Sequence, residues 1–244
     1  MILIYAFIFA GFLLALYLLF LFVCALPVNT SKEYENNSRF YRGLLYSATS
    51  AVLKLLRIKV KVAGREKLPA GQKVLFVGNH RSNFDPIIQW QALKSWDLAF
   101  ISKEENFRIP FFGRFIRRCC FLSVDREDPR KSLAVFDKAA GLLKRQEVSI
   151  GVYPEGTRSV KGELLPFHNG VFRIAGKADV PIAVMAVSGT ERIRENIPFR
   201  GTEVHLDIVD IISSDEVKTM RTADVGKRVR KVIEDRLYGE EEIL

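Results

Sequence analysis

The stretch NHRSNFDP, Asn79 to Pro86, sets a histidine and an aspartate five positions apart, directly behind the apolar run VLFVG, Val74 to Gly78. A neutral imidazole can take a proton from a hydroxyl as that hydroxyl attacks a carbonyl. A carboxylate on the other ring nitrogen fixes the tautomer and stabilises the imidazolium that forms. If the chain turns here from strand to helix, His80 and Asp85 meet across one helical turn, at the carboxyl end of a strand, where α/β proteins place their sites. The same residues also fit an ordinary turn in which Ser82 or Asn83 caps the next helix. Ser82 lacks the Gly-x-Ser-x-Gly frame of a nucleophile elbow, so it reads as a cap or a hydrogen-bonding support.

A second polar cluster, YPEGTRS, runs from Tyr153 to Ser159 behind the strand-like run SIGVY. Pro154 stops the strand, Glu155 puts an acid at its end, and Gly156 permits positive φ. Thr157 and Arg158 add a hydroxyl and a guanidinium, which suits an anion cradle. A solvated turn fits the same residues. Between the two clusters, Phe107 to Phe121 carries Arg108, Arg114, Arg117 and Arg118, five phenylalanines and no acid. Basic plus aromatic suits single-stranded nucleic acid or an anionic lipid surface. The apolar N-terminal segment favours lipid and argues against nucleic acid.

The elements that must position these groups are legible in outline. No charge precedes Lys32, and the 26 residues from Met1 to Leu26 are almost wholly apolar. As a helix they extend about 39 Å, against a hydrocarbon core of about 30 Å. A signal peptide would carry a basic start and a shorter apolar core. Lys32, Arg39 and Arg42 outweigh Glu33 and Glu35 on the C-terminal side, which puts the main domain on the cytoplasmic side of the cytoplasmic membrane. Residues 40–58 repeat apolar positions at helical spacing, so a hairpin lying in one leaflet is the alternative to a span.

Beyond residue 57, short β-rich runs alternate with helical patterns near 84–95, 110–119, 129–145, 169–178 and 222–238. Several runs are nearly all apolar, as in strands covered on both faces. The expected fold is therefore α/β: a mixed, mostly buried β-sheet flanked by helices, with an N-terminal membrane-anchoring helix or helical hairpin. Residues 1–57 form the expected anchor and 58–244 the α/β domain. The net charge of +9, from 37 Lys and Arg against 28 Asp and Glu, suits anionic lipid or a phosphorylated ligand. Three cysteines, two of them adjacent, make no disulfide framework, and the three histidines show no metal-binding spacing. A reducing, intracellular compartment is the default for the main domain.

Together and in this order, the motifs resemble the glycerolipid acyltransferases, specifically the lysophosphatidic acid (1-acylglycerol-3-phosphate) acyltransferases. The family's Asn-His-x4-Asp matches Asn79, His80 and Asp85. Its second motif is similar to Lys103, IPFFG at 109–113 and SVDR ending at Arg126. Its Phe-Pro-Glu-Gly-Thr-Arg-Ser matches YPEGTRS, with Tyr153 for Phe. Its Val-Pro-Ile strand matches VPIAVMAV from Val180, with Met185 where a second proline is frequent. The resemblance covers about residues 57–212.

It implies transfer of a fatty acyl group from acyl-CoA or acyl carrier protein to the sn-2 hydroxyl of a lysophosphatidate in membrane lipid, giving phosphatidic acid. His80 would be the base and Asp85 its partner, without a covalent acyl-enzyme. Lys103, Arg126 and Arg158 would bind the acceptor's phosphate, and Glu155, Gly156 and Thr157 would shape that pocket. No metal and no cofactor beyond the thioester co-substrate is implied. Rival acceptors are glycerol-3-phosphate, a lyso-ornithine lipid or a lysophospholipid. Rival classes are a thioesterase or lipid hydrolase and a non-catalytic, membrane-anchored lipid-binding protein. The sequence is silent on donor type, chain length and oligomeric state.

Overall fold

The computed structural model describes residues 1–125, 129–159 and 162–239. Helix α1, Ile2–Ala25, is apolar all round, and its Ile4–Ala25 stretch has a mean hydropathy of 2.8. It is long and apolar enough to cross a membrane, and most of it lies outside the domain's core. Its C-terminal part docks, with Leu21, Ala25 and the following Val28 buried and Tyr17 half-buried against the core. There Arg114 donates from Nη1 to the carbonyls of Ala25 (3.1 Å) and Val28 (3.1 Å). A cation thus sits at the negative end of the helix dipole, sharing the Ala25 carbonyl with the Val28 N–H.

Helix α2, Arg39–Leu55, is amphipathic. It buries Tyr41, Leu45, Thr49 and Leu53, while Phe40 and Leu55 stay exposed. Arg42 is buried with them. It donates to the carbonyls of Leu98 (2.8 Å) and Cys119 (3.3 Å) and to Asn37 Oδ1 (2.8 Å), lies 3.6 Å from Asp97, and stacks 4.6 Å over the Trp90 ring. One guanidinium therefore ties α2 to the body of the protein.

The body alternates strand and helix: β1 Ile58–Ala63, β2 Leu75–Gly78, α3 Asp85–Ala92, β3 Leu98–Lys103, α4 Phe112–Arg118, β4 Leu122–Val124, α5 Pro129–Lys144 and β5 Ser149–Val152. It continues with α6 Arg173–Ala178, β6 Ile182–Ser188, α7 Ile193–Asn196, β7 Thr202–Ile212, α8 Ser214–Thr219 and α9 Thr222–Tyr238. The strands form one seven-stranded sheet in the order β1-β7-β6-β2-β5-β3-β4. All neighbours are parallel except β6 and β7, which run antiparallel with a register shift at Val184/Met185. Strands β2 to β6 therefore end on one edge.

Both faces of the sheet are covered. Phe76, Phe100 and Met185 face a core completed by α2, α3 and α4; Leu75, Val77, Ile150 and Val184 face a core completed by α5, α6 and α9. Double burial is why these strands read as continuous apolar runs. The mixed α/β sheet expected from the sequence is what forms. The short helices α7 and α8 lie outside the helical patterns of the sequence. The start of α8 is a capping box in which Glu216 N donates to Ser213 Oγ and Ser213 N donates to Glu216 Oε2.

Replacing Arg42 by methionine should cost about 2–4 kcal/mol, because it strands buried carbonyls that a charged donor now satisfies. Denaturant unfolding of the detergent-solubilised chain measures this. Lys61→Met, in a pair exposed by 63% and 46%, serves as control and should change stability by less than about 0.5 kcal/mol. Equal losses would remove Arg42 as the tie.

Candidate active site

Strand β2 is stopped by a side chain that imitates backbone. Asn79, fully buried, donates from Nδ2 to the Val187 carbonyl and accepts at Oδ1 from the Val187 N–H, both at 2.8 Å. This continues the ladder with β6 while the main chain turns away. His80 is therefore the first residue free to leave the sheet, at the carboxyl edge.

Its backbone is then gripped from two sides. His80 N donates to Glu155 Oε1 at 2.7 Å, and its carbonyl accepts from Ser159 N at 2.8 Å. Both partners belong to the second sequence cluster, on the segment after the neighbouring β5. The ring stacks on Tyr153, with centroids 4.2 Å apart and planes 12° from parallel.

Asp85 opens α3 and is wholly buried. One of its oxygens, Oδ2, lies 2.8 Å from His80 Nδ1 and accepts from the N–H groups of Arg81 and Ser82, each at 2.7 Å. This pattern assigns the proton of the neutral ring to Nδ1. Nε2 is then the nitrogen left to take a proton, and the side chain keeps 13% exposure. Ser82 Oγ accepts from Phe84 N at 3.3 Å, a turn support rather than a nucleophile. Cys119 and Cys120 are no better candidates. Burial pushes both thiols up to about 12, away from the reactive thiolate.

Glu155 has both oxygens committed to backbone, Oε1 to His80 N and Oε2 to Leu165 N at 3.0 Å. Burial raises its carboxyl above the usual range, and the two backbone donors oppose that rise. These bonds make it a brace for the backbone at His80. Gly156 has φ +68°, and a Cβ there would lie 3.0 Å from His168 Cδ2, so the position needs glycine for both conformation and space. Thr157 and Arg158 are exposed beyond it.

The segment that follows is pinned by the last helix. Arg230 donates to the carbonyls of Leu164 (3.0 Å) and Leu165 (2.8 Å), and the Gly162 carbonyl accepts from Tyr238 Oη (2.5 Å) and from Arg81 Nη2 (2.7 Å). Lys103 ends β3, exposed and in register with Val124 of β4. Lys103 and Arg158 make no hydrogen bond or ion pair among the described residues. They stand at the ends of β3 and after β5, on the same sheet edge as His80. Arg126 lies outside the described residues.

Sequence reasoning gave no role to Arg81, Gln89, Arg230 or Tyr238. Met185, where the family often has proline, is a fully buried strand residue paired with Gly78. A groove of about 530 Å³ lies between the end of α1 and residues 107–111, lined in part by Phe22, Leu26, Ile109 and Phe111, with Arg108 and Arg117 also on its wall.

A family model described as acyltransferase matches residues 59–188, more than half of the chain. The chain belongs to the acyltransferase family. It is 31% identical over 174 residues to 1-acyl-sn-glycerol-3-phosphate acyltransferase alpha of Ovis aries, covering 70% of this chain and 58% of that protein. It is 28% identical over 192 residues to the 1-acyl-sn-glycerol-3-phosphate acyltransferase of Saccharomyces cerevisiae, covering 76% and 62%. The match thus spans less than two thirds of either relative. Among solved structures it resembles the 1-acyl-sn-glycerophosphate acyltransferase PlsC of Thermotoga maritima, with a TM-score of 0.67, 25% identity, and 83% of this chain and 80% of that one covered. In this acyltransferase the family match includes both polar clusters and the strands that carry them.

Glu155→Gln should cost about 1–3 kcal/mol, because an amide offers one acceptor oxygen where two backbone donors wait. The pH dependence carries a sign. Since the folded state holds the Glu155 proton more tightly, the unfolded chain releases it first, near 4.5. The stability contributed by this group is largest below that pH and is lost as pH rises through the raised folded value. Unfolding curves of the parent and Glu155→Gln across the acid range should show this slope only in the parent.

Proposed function

We propose that this acyltransferase moves a fatty acyl group from a thioester, acyl-CoA or acyl carrier protein, to the sn-2 hydroxyl of 1-acyl-sn-glycerol-3-phosphate, giving phosphatidic acid. The observation that carries the reading is the His80 ring. Its Nδ1 is locked by a buried carboxylate and its Nε2 is left over, at an edge flanked by uncommitted cations. The names of the relatives supply the acceptor.

In this mechanism the acceptor hydroxyl gives its proton to Nε2 as its oxygen attacks the thioester carbonyl. The C–O bond forms, the C–S bond breaks, and the proton leaves with the thiolate. Asp85 stabilises the transient imidazolium. Lys103, Arg126 and Arg158 receive the acceptor's phosphate; Gly156 and Thr157 lie beside Arg158 in the cradle. The thioester is already activated, so the chemistry calls on no metal or further cofactor.

Residues 1–57 serve as the anchor, with the catalytic domain on the cytoplasmic side of the membrane. The apolar α1 and the groove beside it support a substrate drawn from lipid. An anchored active site meets a leaflet-bound acceptor and a cytosolic donor at one boundary.

The test is an acyl-transfer assay with lysophosphatidate, glycerol-3-phosphate and lyso-lipids against both donor types. Lysophosphatidate should be the preferred acceptor; a preference for another acceptor would reassign the substrate. His80→Ala should lower turnover by about 10²–10⁴-fold while the fold is retained. Near-full turnover would remove His80 as the base. Lys103→Ala and Arg158→Ala should each raise the KM for lysophosphatidate by about 10–150-fold, the worth of one charge-assisted phosphate bond. A rise confined to the thioester would move these cations to the donor side.

A further inference from the structure

Asp85 is only half accounted for. Oδ2 carries three donors, yet Oδ1 is buried and makes no hydrogen bond. One turn along α3, Gln89 is wholly buried, and its Nε2 likewise makes none. An unpaired acceptor and an unpaired donor thus sit at i and i+4 on one helix, a spacing that places Cβ atoms about 5–6 Å apart. Leaving either buried group unmatched is costly, and pairing them removes both costs.

The other end of the amide is fixed. Tyr153 Oη donates to Gln89 Oε1 at 2.9 Å, which leaves the NH₂ end for the Asp85 side. The reverse assignment would turn a carbonyl oxygen on the carboxylate. Burial, with the Asp85 charge adding to it, holds the Tyr153 phenol well above its ordinary range, so it stays a donor. Gly78 leaves room for the amide: a Cβ there would stand 3.3 Å from Nε2.

We infer that Gln89 and Tyr153 are positioning residues that extend the His80–Asp85 pair, with the Tyr153 hydroxyl orienting the Gln89 amide and the amide N–H serving Asp85 Oδ1. The contact forms by a small side-chain rotation or through one enclosed water. Either way the positive end of an N–H dipole faces the carboxylate and tempers how strongly the pair holds a proton. Tyr153 therefore acts twice, its ring stacked on His80 and its hydroxyl reaching Asp85 through Gln89. This is what a tyrosine adds where the family motif has phenylalanine.

The inference rests on the acyl-transfer reading for its functional meaning, so its test does not require turnover. The charged and ionisable groups facing the pair are Arg81 on its own loop and Tyr153 and Glu155 from the segment after β5. Arg81 is held by Gly162 and Tyr238, and Glu155 by the backbone of His80 and Leu165. Neither Gln89→Leu nor Tyr153→Phe alters Arg81 or Glu155.

The His80 imidazole is followed by NMR against pH in the full detergent-solubilised chain, its signal assigned by its loss in His80→Ala. Removing the amide dipole makes the protonated pair easier to form. Gln89→Leu should therefore move the His80 midpoint to higher pH by about one unit. Tyr153→Phe should move it the same way by less, and the double variant should match Gln89→Leu alone, because the hydroxyl acts through the amide. The acid limb of kcat/KM for lysophosphatidate should shift in parallel. Unmoved midpoints in both variants, or a Tyr153→Phe shift that persists in full when Gln89 is leucine, would overturn the inference. If Gln89→Leu does not fold, Tyr153→Phe decides alone, since it deletes one oxygen and keeps the stacked ring. Absence of transfer to lysophosphatidate would defeat the acceptor assignment and leave the NMR result standing.

Discussion

The site depends on a single carboxylate oxygen. Asp85 Oδ2 accepts from His80 Nδ1 and from two consecutive backbone N–H groups. The N–H bonds hold the loop of residues 81–84 against the start of α3, and the imidazole bond directs the ring. Loop geometry and ring orientation are thus fixed at one atom. A buried anion is tolerated there because it is met by donors rather than left in an apolar medium.

The rest of the fold makes this arrangement rigid. Asn79 fixes where β2 ends, Glu155 and Ser159 hold the His80 backbone, and Tyr153 stacks on its ring. Asn79 pairs with Val187 of β6 and the other three follow β5, the two neighbours of β2, so the sheet order sets the position of His80. The exposed phosphate-binding candidates Lys103 and Arg158 stand on the same edge, Arg158 between the bracing residues Glu155 and Ser159 in the chain but with its own side chain exposed. Groups that hold His80 are buried or half-buried and bonded to it, whereas Lys103 and Arg158 are exposed and make no hydrogen bond or ion pair among the described residues. The helix α9 extends the brace: Arg230 and Tyr238 seize the backbone that follows the second cluster.

The sheet is legible in the sequence because its strands are covered on both faces and read as apolar runs. The two polar clusters are legible because each follows such a run directly. Helix α8 is signalled by Ser213 and Glu216 at capping-box spacing, but its six residues carry too little apolar periodicity to stand out. The role of Glu155 is not legible, since a buried brace and a pocket wall use the same residue type. Nor is the grip of α9, because Arg230 meets Leu164 across 66 positions and Tyr238 meets Gly162 across 76. Gln89 is an intermediate case. Its spacing from Asp85 can be read from the sequence, whereas the unpaired atoms that give the spacing meaning appear only in three dimensions.

The central claim is that His80 acts on a proton alone, with the acyl group passing directly from thioester to hydroxyl. Intact-mass measurement tests this most directly: the chain is mixed with an acyl thioester in the absence of any acceptor and quenched. Direct transfer predicts a protein of unchanged mass. A stoichiometric acyl adduct on His80, Ser82 or another side chain would contradict the account.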